Sequence, residues 1–230
     1  MKLIDSDFRP KPTTAMTTAR FYRKACTHLA TIDADWKTLL DRVGPCGLKP
    51  QEEREPYEAL IRAVASQQIH TKAAQAILGR FLALYPDSPF PTPRQILATD
   101  FDDLRACGFS ARKIETIQGI ARGAQEGLVP TRAEAEALDN EDLIERLVQL
   151  KGIGRWTVEM LLMFSLARMD VLPVDDFGVR EGYRLIKGLA EQPKPKALAQ
   201  TGLAWSPYRS VAAWYLWRAT ALPDYKVKAG

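Results

Sequence analysis

The sequence predicts an all-α protein. Apolar residues recur every three to four positions along nearly the whole chain, which is the period of an amphipathic helix, whereas the alternation typical of strands is scarce. Prolines and glycines divide this pattern into short segments, so we expect many short helices. The predicted helices cover residues 19–30, 34–43, 56–66, 70–85, 94–99, 101–106, 110–125, 140–149, 154–168, 176–188, 194–202 and 207–220.

Several predicted helix ends carry recognisable signals. Gly108 follows an apolar segment as a C-terminal glycine, and Ser110 is expected to cap the helix that comes next. Pro56 stands in the first turn of another helix, where its missing N–H costs little. Residues 1–18 are polar and rich in Thr and Pro, and we expect them to form a flexible N-terminal tail.

Composition excludes some classes of protein and permits others. The chain has 230 residues and a formal charge of +4, which permits a polyanionic partner without requiring one. The N-terminus lacks the apolar region of a secretory signal, and no stretch of about 18 apolar residues predicts a membrane span. The three cysteines lack metal-site spacing, so we expect reduced thiols in a cytoplasmic protein.

The segment LKGIGRWT at 150–157 is a candidate phosphate-binding hairpin. A helix predicted to end at Leu150 meets two glycines, and a new helix begins at once. Glycine allows a close backbone approach, and the unpaired N–H groups of the new helix attract anions. Lys151 and Arg155 add positive charge. The alternative is a tight turn that only joins two helices, because glycine is common in such turns.

The segment LPVDDFGVR at 172–180 places an acid at the start of a helix. A helix N-cap is the commonest role for Asp176 at this position. Capping and catalysis are compatible, because a helix N-terminus favours a charged carboxylate. An ionised carboxylate is also what an oxocarbenium-like transition state requires.

These two segments, in this order, resemble the helix-hairpin-helix (HhH-GPD) DNA glycosylase superfamily, and most closely the AlkA-type 3-methyladenine DNA glycosylases. Three further motifs extend the resemblance over roughly residues 30–220: ASQQIHTKAA at 65–74, CGFSARK at 107–113 and SPYRSVAAWYLWR at 206–218. The resemblance implies two helical domains with the active-site cleft between them. Residues 56–169 match the barrel domain that carries the hairpin, and residues 19–55 plus 170–230 match the domain built from both chain ends. The N-terminal β domain of larger relatives is not represented.

The resemblance also implies roles for site residues. Asp176 matches the catalytic aspartate, and its neighbour Asp175 is the alternative. The aromatic pocket for the flipped base matches Trp156, Phe177 and Trp217. Met160 stands where some relatives have a tyrosine.

The same family match assigns residues to DNA binding. These are Lys151, Gly152, Gly154, Arg155 and Thr157 in the hairpin, Ser110, and the turn formed by Gln67, Gln68, Ile69 and His70. One residue of that turn, among Gln68, Ile69 and His70, would fill the gap left by the flipped base. Relatives often hold a monovalent cation on hairpin carbonyls, which here correspond to Val148, Leu150 and Ile153.

Three features narrow the expected chemistry. Trp156 occupies the position of the lysine that attacks the sugar in DNA-nicking relatives, so we expect a monofunctional enzyme. No cysteine follows Cys107, so an iron–sulfur cluster would lack ligands, and the zinc-deaminase signature is absent.

The resemblance therefore implies a monomer that acts on double-stranded DNA containing a damaged base, without a catalytic cofactor. It would release alkylated bases of the 3-methyladenine type and leave an abasic site. In a bacterium such an enzyme would be associated with the nucleoid. The alternatives are a glycosylase for deaminated or oxidised bases, a non-catalytic DNA-binding module, and a helical protein–protein scaffold.

Overall fold

The computed structural model describes residues 15–223, except for the side chains of residues 15–17 and 71. This part of the chain is helical and contains no strand, as the sequence predicts. Its α-helices are α1 (Ala15–Ala30), α2 (Ala34–Val43), α3 (Pro56–Ser66), α4 (Thr71–Ala83), α5 (Pro93–Ala98), α6 (Phe101–Ala106), α7 (Ala111–Gln125), α8 (Arg132–Ala137), α9 (Asn140–Leu147), α10 (Arg155–Phe164), α11 (Phe177–Lys187), α12 (Pro195–Thr201) and α13 (Arg209–Ala219). A short 3-10 helix, Gly202–Trp205, follows α12.

The helices form two compact units. The first unit comprises residues 15–48 and 169–223 of the described chain, and the second comprises Lys49–Arg168. The first unit therefore contains α1, α2, α11, α12 and α13, and the second contains α3 to α10.

The first unit is organised by close packing of α11 against α13. A Cβ added to Gly182 would lie 2.0 Å from the backbone oxygen of Leu216, so only glycine permits this approach. The buried rings of Trp36 and Trp205 meet edge to face at 5.2 Å and close the core behind these helices. Lys187, near the end of α11, donates hydrogen bonds to Asp33 at 2.6 Å and Asp35 at 2.8 Å, which connects α11 to the start of α2.

The second unit is built around α7. Ile114, Ile117 and Ile120 lie on one buried side of this helix, which packs against α3 and α5. Beside them, the buried rings of Phe81 and Phe109 meet edge to face at 5.5 Å. Both units thus contain an apolar core of their own, as independent folding units require.

The first helix and the chain boundary differ from the prediction. Helix α1 begins at Ala15, so residues 15–18 are helical rather than part of a tail, and the predicted tail at 1–14 lies outside the described residues. Residues 49–55, which we expected in the domain of the chain ends, belong to the second unit. The reason is local bonding, because the Gln51 N–H donates to Phe164 at 2.6 Å and Arg132 donates to the Arg54 carbonyl at 2.6 Å.

One helix was missed, and the predicted ends of several others differ from the structure by a few residues. Helix α8 was not predicted, although Thr131 and Glu134 form a capping box at its start. Helix α9 ends at Leu147 rather than near 149 or 150, and α10 ends at Phe164 rather than at 168. None of the helices within residues 15–223 combines the length and apolar character needed to cross a lipid bilayer.

Candidate active site

Asp176 is the N-cap of α11, as the sequence predicts. Its Oδ1 accepts a hydrogen bond from the backbone N–H of Val179 at 2.8 Å. The same oxygen accepts a second hydrogen bond from the indole Nε1 of Trp217 at 2.8 Å. Because one donor belongs to α11 and the other to α13, the carboxylate is held by two helices at once.

Two glycines allow Trp217 to reach this carboxylate. Gly182 lets α11 approach the backbone of α13 at Leu216, next to Trp217. Gly178 lies in the first turn of α11, where a Cβ would lie 2.8 Å from Cδ1 of Trp217 and 3.2 Å from Oδ1 of Asp176. Sequence reasoning missed both, although a glycine inside a helix is a signal because it costs about 1 kcal/mol relative to alanine.

The neighbours of Asp176 differ from it in exposure. Asp175 is exposed to solvent, while Asp176 is half-buried. Phe177 leaves 72% of its surface exposed, which is unusual for a large apolar side chain. Trp217 is half-buried behind Asp176. Asp176 is therefore the more enclosed of the two acids, and an exposed aromatic ring follows it in the chain.

The predicted hairpin is formed by α9, the turn at 148–154 and α10. Gly152 has φ +88° and lies so close to α7 that a Cβ would be 2.2 Å from Oγ1 of Thr116. Gly154 is the N-cap of α10, and its carbonyl accepts hydrogen bonds from Thr157 and Val158. The carbonyl of Leu150 accepts from the N–H of Ile153 at 3.0 Å, which closes the turn.

The charged side chains of the hairpin are engaged within the protein. Lys151 donates to Glu115 at 2.9 Å. Arg155 donates to Glu141 at 2.8 Å and to the buried Glu159 at 3.1 Å. Hydrogen bonding to Glu141 raises the pKa of Arg155 above its ordinary value. These two cations therefore brace the hairpin, and their contact with DNA, like that of the backbone of Gly152 and Gly154, stays a prediction.

Trp156 and Met160 lie one turn apart on α10, so their side chains point to the same side. Trp156 is 39% exposed and Met160 is half-buried. Thr157 differs, because it is 2% exposed and its hydroxyl accepts a hydrogen bond from Nε2 of Gln67 at 3.3 Å. Thr157 therefore supports the neighbouring turn, and its contact with DNA stays a prediction.

That turn, residues 67–70, is presented in a strained conformation. Gln68 has φ +55°, which is uncommon for a residue other than glycine. Gln68, Ile69 and His70 are all exposed, and His70 is the N-cap of α4 without a side-chain cap bond. Strain of this kind persists only where the surrounding structure holds it, and it is frequent at functional sites.

Lys113 on α7 supplies the holding contact. Its Nζ donates to the carbonyls of Ala65 at 3.0 Å and Gln67 at 2.8 Å, at the end of α3. Burial lowers the pKa of Lys113. Ser110 caps the same helix by accepting from the Lys113 N–H at 3.3 Å, as the sequence predicts. Sequence reasoning did not select Lys113, because nothing in its spacing shows that it bonds to a distant turn.

The predicted residues of the base pocket are divided between the two units. Asp176, Phe177 and Trp217 belong to the first unit, whereas Trp156 and Met160 belong to the second. The base pocket that includes all four apolar side chains stays a prediction, because it draws on both units. Within residues 15–223, no group of three His, Cys, Asp or Glu side chains could hold a metal ion.

Comparisons with known proteins agree with this fold. The model of the HhH-GPD superfamily of base excision DNA repair proteins matches residues 61–207. DNA-3-methyladenine glycosylase 1 of Schizosaccharomyces pombe is 52% identical over 205 residues, which cover 88% of this chain and 89% of that protein. Alkylbase DNA glycosidase-like protein mag2 of the same yeast is 39% identical, covering 87% and 95%.

A solved structure of the S. pombe 3-methyladenine DNA glycosylase Mag1 in complex with abasic DNA matches with a TM-score of 0.80 and 51% identity. The match covers 87% of this chain and 98% of that one. An all-helical base excision repair protein is thus the class defined by the fold and the hairpin. The chain belongs to the HhH-GPD superfamily of base excision DNA repair proteins, which confirms the predicted family.

Proposed function

We propose that this protein is a monofunctional DNA glycosylase that removes N-alkylated bases of the 3-methyladenine type from double-stranded DNA. The observation that carries the proposal is the carboxylate of Asp176, fixed at the start of α11 by Val179 and Trp217. The printed names of the relatives, which refer to 3-methyladenine and alkylated bases, support the choice of substrate.

The proposed reaction breaks the bond between C1′ of the sugar and the nitrogen of the base. The bonding electron pair leaves with the base, which neutralises the positive charge that alkylation gave it. The sugar becomes an oxocarbenium ion, and the anionic carboxylate of Asp176 stabilises it. Water then bonds to C1′ and loses a proton, which leaves an abasic site. No lysine stands at position 156, so this mechanism has no covalent intermediate on the hairpin helix.

Base recognition in this proposal relies on aromatic faces. A cationic base is attracted to an aromatic ring by about 0.5–2 kcal/mol, depending on desolvation. The exposed rings of Trp156 and Phe177, and the indole of Trp217, are the proposed stacking surfaces. Met160 adds a polarisable apolar contact beside Trp156. A damaged pair also costs less to unstack, which adds selectivity.

DNA is held in this proposal by the hairpin and by the turn at 67–70. The amides at Gly152 and Gly154 contact phosphate oxygens, and such contacts set the register of the protein on the duplex. The exposed side chains of Gln68, Ile69 and His70 are the candidates to fill the gap in the helix.

A monovalent cation on the carbonyls of Val148, Leu150 and Ile153 is part of the proposal. Neutral backbone oxygens suit a singly charged ion, and these three residues lie within the turn between α9 and α10. The cation would supply positive charge beside a DNA phosphate. We also propose that the protein acts as a cytoplasmic monomer, associated with the nucleoid if the source is bacterial.

The experiment that tests this function is a panel of duplex oligonucleotides, each with one alkylated, deaminated or oxidised base, assayed for abasic sites. We expect release of alkylated bases without strand cleavage. Asp176→Asn should abolish release while DNA affinity persists, and the exposed neighbour variant Asp175→Asn should remain active. Release of only deaminated or oxidised bases would show that the substrate is not an alkylated base. Normal turnover by Asp176→Asn would refute the assignment of this acid.

A further inference from the structure

Helix α1 carries a continuous basic stripe in the first unit. Arg20, Arg23 and Lys24 are exposed and lie within five positions, so they share one side of the helix with His28. These side chains, with Thr27 and Tyr208, line an open cavity of about 590 Å³. The stripe from Arg20 to His28 rises roughly 12 Å along the helix axis.

The positive charge of this groove is not neutralised within residues 15–223. Arg20, Arg23 and Lys24 form no ion pair with any residue in that part of the chain, and α1 contains no acidic residue. The three cations are a large share of the formal net charge of +4. The terminal segments 1–14 and 224–230 each contain one more basic than acidic residue, so their composition does not complement the groove.

The cations of the hairpin differ from those of α1, because they form ion pairs with acidic side chains. Lys151 and Arg155, the cations expected to attract DNA, are engaged with Glu115, Glu141 and Glu159. Arg20, Arg23 and Lys24 on α1 are therefore a cluster of exposed positive charge that acidic side chains of the described residues do not compensate.

The wall of the groove is held in place by the first unit. His28 Nε2 lies 2.8 Å from the carbonyl oxygen of Ala204, and its ring is 5.3 Å from that of Tyr208. Phe21 also packs edge to face against Tyr208, with ring centroids 5.3 Å apart. The three exposed cations line the same groove as the phenolic hydroxyl of Tyr208, which can donate to an anionic oxygen.

We propose that this α1 groove binds the backbone phosphates of duplex DNA at a position separate from the site of base release. Charge complementarity selects this partner, because each strand of duplex DNA carries a phosphate about every 3.4 Å along its axis, so the stripe spans several of them. The groove would hold undamaged flanking DNA during the search for damage. The proposal rests on the proposed function only in taking DNA as the substrate.

The test compares the wild type with a triple variant, Arg20→Gln, Arg23→Gln and Lys24→Gln. The matched control, Arg94→Gln, Lys194→Gln and Lys196→Gln, removes the same charge from exposed positions elsewhere. Affinity for an undamaged duplex is measured against salt concentration. Each lost phosphate contact lowers the slope of log affinity against log salt by about 0.9, so the α1 variant should lose about two to three units.

The control variant should keep a slope close to that of the wild type. Base release by the α1 variant, measured at saturating protein, should stay within about twofold of wild type because the groove does not contact the reacting sugar. Arg20→Lys with Arg23→Lys, which conserves charge, should restore the slope. An unchanged salt slope in the triple variant, or an equal loss of slope in the control, overturns the proposal that the groove binds DNA. Absence of base release by the wild type would refute the proposed function and leave the binding comparison valid.

Discussion

At the residue scale, the carboxylate of Asp176 accepts a hydrogen bond from the backbone of its own helix and another from the indole of Trp217. The second bond is specific to the folded protein, because its donor lies 41 positions away in the chain. A hydrogen bond to a charged group contributes about 1.5–3 kcal/mol. The orientation of this carboxylate therefore depends on the indole as much as on the helix terminus.

The first prediction concerns that indole. Trp217→Phe keeps an aromatic ring and removes the Nε1 donor, so Asp176 loses the hydrogen bond that comes from α13. We expect single-turnover base release to fall roughly 10- to 100-fold, which corresponds to the loss of one such bond. Affinity for an abasic-site duplex should change less than threefold. A base-release rate equal to wild type would show that this hydrogen bond does not position the acid.

Gly178 gives the second prediction at this scale. Gly178→Ala places a methyl group 2.8 Å from Cδ1 of Trp217, so the indole must move away from Asp176. We expect base release to fall at least tenfold, while helix propensity favours alanine by about 1 kcal/mol. Gly119→Ala in α7, where a Cβ meets nothing within 4 Å, is the control. It should keep full activity, and thermal melting of both variants separates the two effects.

Part of this site could be predicted from the sequence. The capping role of Asp176 follows from an acid after Pro173 at a helix start, which is a local signal. The roles of Gly178 and Gly182 do not follow locally, because they depend on how closely α13 approaches α11. Likewise, the sequence shows that Lys151 and Arg155 are basic, but only the fold shows that they form ion pairs with glutamates.

Helix α7 supports two functional segments at the element scale. Within its first two turns, Lys113 holds the carbonyls of Ala65 and Gln67, and Thr116 contacts Gly152 of the hairpin. One helix thus sets the position of both the strained turn and the hairpin proposed to bind phosphate.

The third prediction separates this support from direct DNA contact. Lys113→Met keeps the length of the side chain and removes its donors, so the turn at 67–70 loses an anchor. We expect base flipping, followed by 2-aminopurine fluorescence, and base release to fall about tenfold. The salt slope of binding to undamaged DNA should stay unchanged, because Lys113 bonds to the protein.

Lys196→Met, an exposed variant of the first unit, is the comparison for that experiment and should flip bases normally. A reduced salt slope in Lys113→Met would instead indicate that this lysine contacts a phosphate. Equal losses of flipping in both variants would contradict the anchoring role.

Helix prediction succeeded where the period is strong and failed where it is weak. The predicted bounds of α2, α3 and α6 agree with the structure. Helix α8 escaped because RAEAEA alternates small and charged residues, which is not a helical period, and it buries only Ala135 among its hydrophobic residues. The end of α10 was overestimated because LLMFSLA remains apolar beyond Phe164, so hydrophobicity alone could not place the terminus.

At the scale of the whole molecule, the formal net charge does not show which charged side chains are paired within the protein and which are exposed to a partner. The excess of +4 suggests a mildly basic protein, yet within each unit arginines bond to carbonyls or acids. Arg209, for example, donates to both oxygens of Asp170, at 2.7 and 2.9 Å. Ser206 adds a third donor to the same carboxylate at 2.8 Å. These bonds connect Asp170, at the start of the segment 169–223, to the N-terminal end of α13.

The last prediction follows from this carboxylate and concerns stability against acid. Burial opposes ionisation of Asp170, but hydrogen bonds from Arg209 and Ser206 outweigh it and hold the pKa of Asp170 below its ordinary value. The unfolded chain therefore binds a proton at higher pH than the folded protein does. Stability from this group is fully present above the ordinary carboxyl pKa, about 3.9, and is lost as pH falls below it towards the lowered pKa.

Asp170→Asn removes this titration. We expect a lower melting temperature than wild type at pH 7 and a smaller further loss between about pH 4 and 3, because the linked proton is gone. Asp41→Asn is the control, since its exposed pair with Lys37 contributes at most about 0.5 kcal/mol. Thermal melting followed across pH distinguishes them. Parallel melting curves for Asp170→Asn and wild type through this range would show that the Asp170–Arg209 pair does not link folding to acid.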